Sequence, residues 1–251
     1  MSTTENKNGT RNMNPEISVV ILCYQEGPRL HSFVDRTVNV LEKILVPWEI
    51  VLVANYWDNK EDETPREAKK IAAQRNNIEV ITKFKEGGMG WDARNGFKET
   101  SGKFICLIDG DGQMPPEDIK NVYNTIKDGN FDLVMTYRTE RRDSWLRKIN
   151  SYTYNLVFRI LFPGVKVRDA NSKPKIFTRE AYTKMRLTAD DWFLDAEMLI
   201  QGARMKLKIA EIPVSFDKCV DRKSYVKIDA IFEFIKNLLR IRIKEFFIKN
   251  D

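Results

Sequence analysis

A chain of 251 residues, 42% apolar and 31% charged, can bury one large core and keep a wetted surface. Its 42 Lys and Arg outnumber 36 Asp and Glu, and the net charge of +6 favours an anionic partner such as phosphate groups or a membrane surface. One His and three widely spaced cysteines, Cys23, Cys106 and Cys219, argue against a His/Cys zinc cluster and a disulfide framework, and no apolar run reaches the ~18 residues of a transmembrane helix.

The first 14 residues are polar and lack the apolar stretch of a signal peptide, so a disordered leader is expected there. Ile17–Cys23 reads as a buried strand, broken by Tyr24-Gln25-Glu26-Gly27-Pro28. Leu30–Leu45 has helical spacing and carries the single His31 on its surface. Glu49–Ala54 is a second strand, followed by a polar loop and a charged helix from about Pro65 to Arg75. Ile78–Thr82 is a third strand. The Gly-rich run EGGMGWDARNG at 86–96 leads into a helix that stops near Ser101-Gly102. Strand Phe104–Ile108, a helix from Pro116 to about Lys127 and strand Phe131–Met135 follow. Strands alternating with helices indicate βαβ units and a mostly parallel sheet with helices on both faces.

The second half is less regular. Ser144–Leu161 reads as a helix capped by Asp143 and ended by Pro163-Gly164. Lys173–Phe177 is a strand, and Thr178 caps a short helix. Trp192–Gly202 is a further helix, and Leu207–Ile212 a strand closed by Pro213.

The chemistry centres on KFICLIDGDGQ at 103–113. An apolar strand ends abruptly in Asp109-Gly110-Asp111, and the C-terminal ends of strands are where open α/β sheets bind ligands. Two carboxylates with Gln113 nearby offer hard oxygens suited to Mg2+ or Mn2+, ions that commonly share their coordination with substrate phosphates. An acidic strand-to-helix turn would look the same in isolation.

Taken in order, VVILCYQE, EIVLVA, GGMGWDARNGF, LIDGDGQMPPED, RRDSWLRKINS, RDANSKPKIF, FLDAE and IPV followed by RKS resemble a family 2 glycosyltransferase of the GT-A fold. The match is best to the branch containing dolichyl-phosphate mannosyltransferase and bacterial polyprenyl-phosphate glycosyltransferases. The resemblance implies a GT-A, Rossmann-like α/β domain over 15–225 and a UDP- or GDP-sugar donor. Tyr24, Glu26, Asn55, Asp58, Gly90, Asp109 and Gly110 are then the donor-binding residues. Asp109, Asp111 and Gln113 are the metal ligands. Asp111, Arg222 and Asp195 are assigned to the chemical step.

In that branch the acceptor is a polyprenyl phosphate, and the matching positions are Arg138, Arg147, Ser151, Arg222 and Ser224. Arg147 and Ser151 are four apart and would share one helix face. A phosphate monoester is largely dianionic at neutral pH and needs no general base, so direct inverting displacement is expected. A hydroxyl acceptor would need one, with Asp195 or Glu197 as candidates, unless these are simply acids at a helix N-terminus. Nucleotidyl transfer on a similar core and a non-catalytic, membrane-peripheral adaptor are the other readings. No nucleic-acid recognition motif accompanies the basic segments.

The tail KIDAIFEFIKNLLRIRIKEFFIK at 227–249 places Ile228, Ile231, Phe232, Ile235, Leu238 and Leu239 on one stripe and Lys236, Arg240 and Lys244 on another. Residues 226–251 are expected to form an amphipathic helix, lying in a membrane interface, docked on the protein's own core or making a dimer contact. With the family resemblance, the expectation is a peripheral protein on the cytoplasmic face of a membrane. The family pattern is not followed everywhere. Ala54-Asn55 stands where an acidic pair often follows the second strand, Asp92 stands where a small residue is usual, and Trp57 and Trp91 are additions near the donor loops.

Overall fold

A computed structural model of the chain describes residues 14–58, 60–139, 158, 160–162, 165, 167–214 and 236–238. The strands are β1 (Ile17–Leu22), β2 (Trp48–Val53), β3 (Ile78–Ile81), β4 (Phe104–Asp109), β5 (Leu133–Arg138), β6 (Lys175–Thr178) and β7 (Ile209–Val214). The helices are α1 (Arg29–Glu42), α2 (Thr64–Ala73), α3 (Met89–Lys98), α4 (Asp118–Asp128), α5 (Arg179–Lys184) and α6 (Leu194–Arg204).

All seven strands join one sheet in the order β3-β2-β1-β4-β6-β5-β7. The pairs β1–β2, β1–β4, β2–β3 and β5–β7 are parallel. Strand β6 alone runs antiparallel, to β4 on one side and β5 on the other. The mostly parallel α/β sheet is therefore as expected.

The central strands ISVVIL, WEIVLV and FICLID are nearly continuous apolar runs because both faces are covered. Strand alternation divides them. Val19, Ile21, Ile50, Leu52, Cys106 and Ile108 face a core built with Leu30 and Phe33 of α1, Ile71 of α2, and Ile119 and Val122 of α4. Val20, Val51, Ile105 and Leu107 face the opposite core with Ala93 and Phe97 of α3 and Leu194 and Met198 of α6. Helix α4 shows the underlying periodicity, since its buried residues Ile119, Val122, Tyr123 and Ile126 recur at helical spacing.

Several boundaries differ from the expected ones. Helix α1 ends at Glu42 rather than running to Leu45, whose backbone turns to φ +60° and whose side chain is exposed. Strand β5 begins two residues later than expected and continues through Thr136, Tyr137 and Arg138, because β7 supplies a partner for those polar positions. Pro213 lies inside β7, opposite Tyr137, rather than closing the strand. A proline is tolerated there because β7 is at the sheet edge and pairs with β5 alone among the described strands. His31 is half-buried and hydrogen-bonds Glu67 at 3.0 Å.

Cys23 and Cys106 are buried thiols, while Cys219 lies outside the described residues. So do residues 1–13 of the leader expected over 1–14, and Asp143 with most of the helix it was expected to cap at 144–161, of which Phe158, Ile160 and Leu161 are described and helical. Of the tail, Lys236, Asn237 and Leu238 are described, and they too are helical. Leu238 is buried in the core with α3 and α6, and Asn237 Nδ2 donates to Asp191 Oδ2 at 2.6 Å. At Leu238, then, the expected apolar stripe faces the protein. No helix among the described residues is long and apolar enough to cross a membrane.

Candidate active site

From β1 the sheet grows outward to β2 and β3, and from β4 it grows the other way to β6, β5 and β7. The order reverses between β1 and β4, which opens a crevice beyond their C-terminal ends. Asp109 is the last residue of β4 and pairs in register with Leu22, the last of β1. The Gly110 amide continues this ladder by donating to the Leu22 carbonyl at 2.9 Å. The chain then turns: Asp111 Oδ1 accepts from the Gln113 amide at 3.0 Å, across Gly112 at φ +73°, a conformation that disfavours a Cβ. The apolar run, the ladder and the Asx turn together hold both carboxylates at the mouth of the crevice.

The loop after β1 is tethered from α2. The Gln25 amide donates to Asp62 Oδ2 at 3.1 Å, and the Glu26 and Gly27 amides donate to Thr64 Oγ1 at 2.8 and 2.9 Å. Asp62 Oδ1 in turn accepts from the Thr64 amide at 2.9 Å. Asp62 and Thr64 were not singled out from the sequence; a capping-type Asp-x-Thr at a helix start was the signal available. Tyr24 lies in this loop, with its hydroxyl 3.1 Å from Lys60 Nζ and its ring centroid 5.2 Å from Lys85 Nζ.

The loop after β2 carries Asn55, which is buried. Its Nδ2 donates to Asp92 Oδ1 at 2.9 Å and its Oδ1 accepts from the Lys83 amide at 2.8 Å. Asp92, in the first turn of α3, also pairs with Lys85, and Asn55 and Asp92, two of the residues unusual for the family that the sequence resembles, are thus bonded to each other. Burial pushes the Asp92 carboxyl up, and Lys85 and Asn55 oppose the shift. Lys85 Nζ also lies 6.0 Å from the Trp57 ring centroid. Asp58 is exposed in the same loop. Gly90 is buried in the start of α3, where a Cβ would come within 2.5 Å of the Ala189 carbonyl and 2.6 Å of that of Asp191. Its small size is what lets the 189–191 backbone lie on the helix.

A second cluster reaches the turn from behind. Because β6 is antiparallel to β4, with Leu107 opposite Lys175, the residues before β6 lie beside the end of β4. Lys173 Nζ is thus 3.1 Å from Asp109 Oδ2 and 3.6 Å from Asp195 Oδ2 of α6. Lys175 Nζ is 2.5 Å from Asp195 Oδ1 and donates to the Ala170 carbonyl at 2.6 Å. Burial would disfavour the charges of Lys173, Lys175 and Asp195, and their mutual pairing offsets it. Asp195, opposed by burial but flanked by both ammonium groups, is held below the ordinary carboxylate range. The carboxylates of Asp109 and Asp195 raise Lys173 against the effect of its burial. Lys175 is pushed by burial and by Lys173 down to about 8. Sequence reading placed Lys173 and Lys175 in a strand and assigned them no charge partners, since a pairing across 20 to 64 positions leaves no local signature.

Glu197, the other proposed acid, accepts from the Thr188 amide and hydroxyl, the Ala189 amide and Gln201 Nε2. It is fully engaged in holding the 188–189 loop to α6. Arg138, at the end of β5, pairs with Asp169 at 2.7 Å on the same edge of the sheet. Arg147, Ser151, Arg222 and Ser224 lie outside the described residues. The fold therefore brings Tyr24, Glu26, Asn55, Asp109, Gly110, Asp111, Gln113, Arg138 and Asp195 to one edge.

Among the described residues, no three His, Cys, Asp or Glu side chains gather into a cage for an ion. Asp109 and Asp111 alone supply carboxylate oxygens at the turn, and Lys173 takes one oxygen of Asp109. This donor set fits a Mg2+-like ion that completes its shell with substrate phosphate and water.

The family model described as glycosyl transferase family 2 matches residues 18–194. The chain is 29% identical to glycosyltransferase AglD of Haloferax volcanii over 214 residues, covering 83% of this chain and 34% of that protein. It is 28% identical to the dolichol-phosphate mannosyltransferase of Pyrococcus furiosus, over 90% of this chain and 63% of that one. The chain thus spans about a third of the first relative and under two thirds of the second. Among solved structures, glucosyl-3-phosphoglycerate synthase from Mycobacterium tuberculosis, in complex with Mn2+, UDP and glucosyl-3-phosphoglycerate, superimposes with a TM-score of 0.70 at 17% identity. That match covers 91% of this chain and 80% of that one.

Proposed function

This chain belongs to glycosyl transferase family 2, and from that membership we propose that it moves a sugar from a UDP- or GDP-sugar to a polyprenyl phosphate, with inversion at the anomeric carbon. The observation that carries the reading is the Asp109-Gly110-Asp111 turn at the point where the strand order reverses, opposite the Thr64-tethered loop Tyr24–Gly27. Tyr24, Glu26, Asn55, Asp58, Gly90 and Gly110 would line the donor's nucleoside and diphosphate. Asp109, Asp111 and Gln113 would hold Mg2+ or Mn2+, which supplies charge neutralisation to the departing diphosphate.

Arg138, together with Arg147, Ser151, Arg222 and Ser224, would receive the acceptor phosphate as guanidinium and hydroxyl donors. Arg222 and Asp111 would act nearest the reacting atoms. Asp195, held ionised between two lysines, is a poor proton acceptor, and Glu197 is committed to the 188–189 loop. Both facts support an acceptor that needs no base. In this reading Asp195 belongs to the chemical step through Lys173 and Asp109. The net charge of +6 and the lipid acceptor support a peripheral position on the cytoplasmic face of a membrane.

A transfer assay tests the reading. UDP- and GDP-sugars are offered with polyprenyl phosphate and Mn2+ or Mg2+, with Asp111→Ala as control. The expected result is a metal-dependent glycolipid that the control reduces at least a hundredfold. Donor hydrolysis with no glycolipid would overturn the lipid acceptor.

A further inference from the structure

Four charges run in a line from the core to the mouth of the crevice: Lys175, Asp195, Lys173 and Asp109. Lys173 is the member of the buried group that meets the turn. Its residue is 1% exposed, so its ammonium is a fixed charge and not a mobile surface one. Its backbone is anchored as well, by an amide that donates to Met114 Sδ at 3.0 Å. Behind it, Asp195 is already shared with Lys175, so the charge of Lys173 is directed forward on to Asp109.

This arrangement matters for a cation. Two carboxylates at one turn, Asp109 and Asp111, would attract a free divalent ion. Here Asp109 is already paired with Lys173, and an ion seated on the other Asp109 oxygen would face, across a single carboxylate, an ammonium that is itself buried. A nucleoside diphosphate changes the balance. It brings several negative charges and fresh oxygen ligands, and it compensates the ion and Lys173 together.

We propose that Lys173 is a positioning residue that fixes Asp109 and makes divalent-cation binding at the turn conditional on the nucleoside diphosphate. The cation then enters with the nucleotide and not ahead of it. This rests on the reading of Asp109 and Asp111 as the metal-holding pair. Coupling of this kind is reciprocal: the factor by which the nucleotide tightens the cation equals the factor by which the cation tightens the nucleotide.

The test is a Mn2+ titration of the full chain, followed by the electron paramagnetic resonance signal of unbound Mn2+, with and without UDP or GDP. In the unaltered protein, one of the two nucleotides is expected to tighten Mn2+ by at least tenfold. Lys173→Gln and Lys173→Met, with folding checked by circular dichroism, should bind Mn2+ alone at least tenfold more tightly and lose most of the nucleotide effect. Lys173→Arg keeps the charge and should keep the coupling; a merely structural role would not separate Arg from Gln and Met in this way. Should both neutral variants fail to fold, the unaltered protein still decides, since equal Mn2+ affinity with and without nucleotide overturns the proposal. Asp111→Ala separates the two layers. If it leaves nucleotide-dependent Mn2+ binding intact, the metal-pair reading falls. If it abolishes that binding while the neutral Lys173 variants match the unaltered protein, the role of Lys173 alone falls.

Discussion

Asn55 and Asp92 each depart from the family's pattern, and the structure places them in hydrogen-bond contact. An acid usual after the second strand is absent there, and a buried carboxylate arrives from α3 instead, balanced by Lys85. Each departure was legible in the sequence; their partnership was not, because 37 residues separate them. The same holds for Lys175 and Asp195. Here the burial of Lys175, with the Lys173 charge beside it, predicts a pH effect. Lys175 is lowered from 10.5 to about 8 in the folded chain and regains its ordinary value on unfolding. Between these values the unfolded chain holds a proton that the folded chain has lost, so this group makes stability rise with pH. Lys173 is raised, so its contribution is complete throughout that window and is lost only at higher pH. Urea denaturation from pH 7 to pH 10 should therefore show unaltered protein gaining stability relative to Lys175→Met above about pH 8. Parallel curves for the two proteins would contradict the assignment.

At the scale of elements, a loop becomes a usable surface when something stiffer holds it. Thr64 accepts two amides from the loop after β1 while starting α2, so one hydroxyl ties strand, loop and helix together. Thr64→Ala should cost about 1–2 kcal/mol of stability. It should also weaken UDP or GDP binding several-fold, as read by calorimetry. Unchanged nucleotide affinity at reduced stability would show that the tether does not shape the donor loop. Among the described residues, element existence was readable, since apolar runs and helical spacing persist over whole segments. The ends were less so. Pro213 signals a stop locally, yet an edge strand can carry it, and β5 extends over polar residues because β7 lies alongside.

For the whole molecule, the expected amphipathic tail had three destinations: a membrane interface, the protein's own core and a dimer contact. Leu238 is buried with α3 and α6, and Asn237 bonds Asp191 in the loop that lies on Gly90. Leu238→Ala should cost about 2–4 kcal/mol in urea denaturation, the range for emptying a buried leucine site. A cost under about 0.5 kcal/mol would mean that this turn is not part of the core. The sequence by itself determined the layered α/β architecture, the strand that ends in two carboxylates, and the family. These are written in local periodicity and in short motifs whose order survives divergence. Only the tertiary structure decided that Asp195 lies between two lysines, that Asp92 answers Asn55, and that Lys173 stands behind the carboxylate turn. Those facts depend on β6 running antiparallel beside β4 and on α3 packing across β1 and β2. Such long-range pairings follow from how the sheet closes its two cores, which no local stretch of sequence specifies.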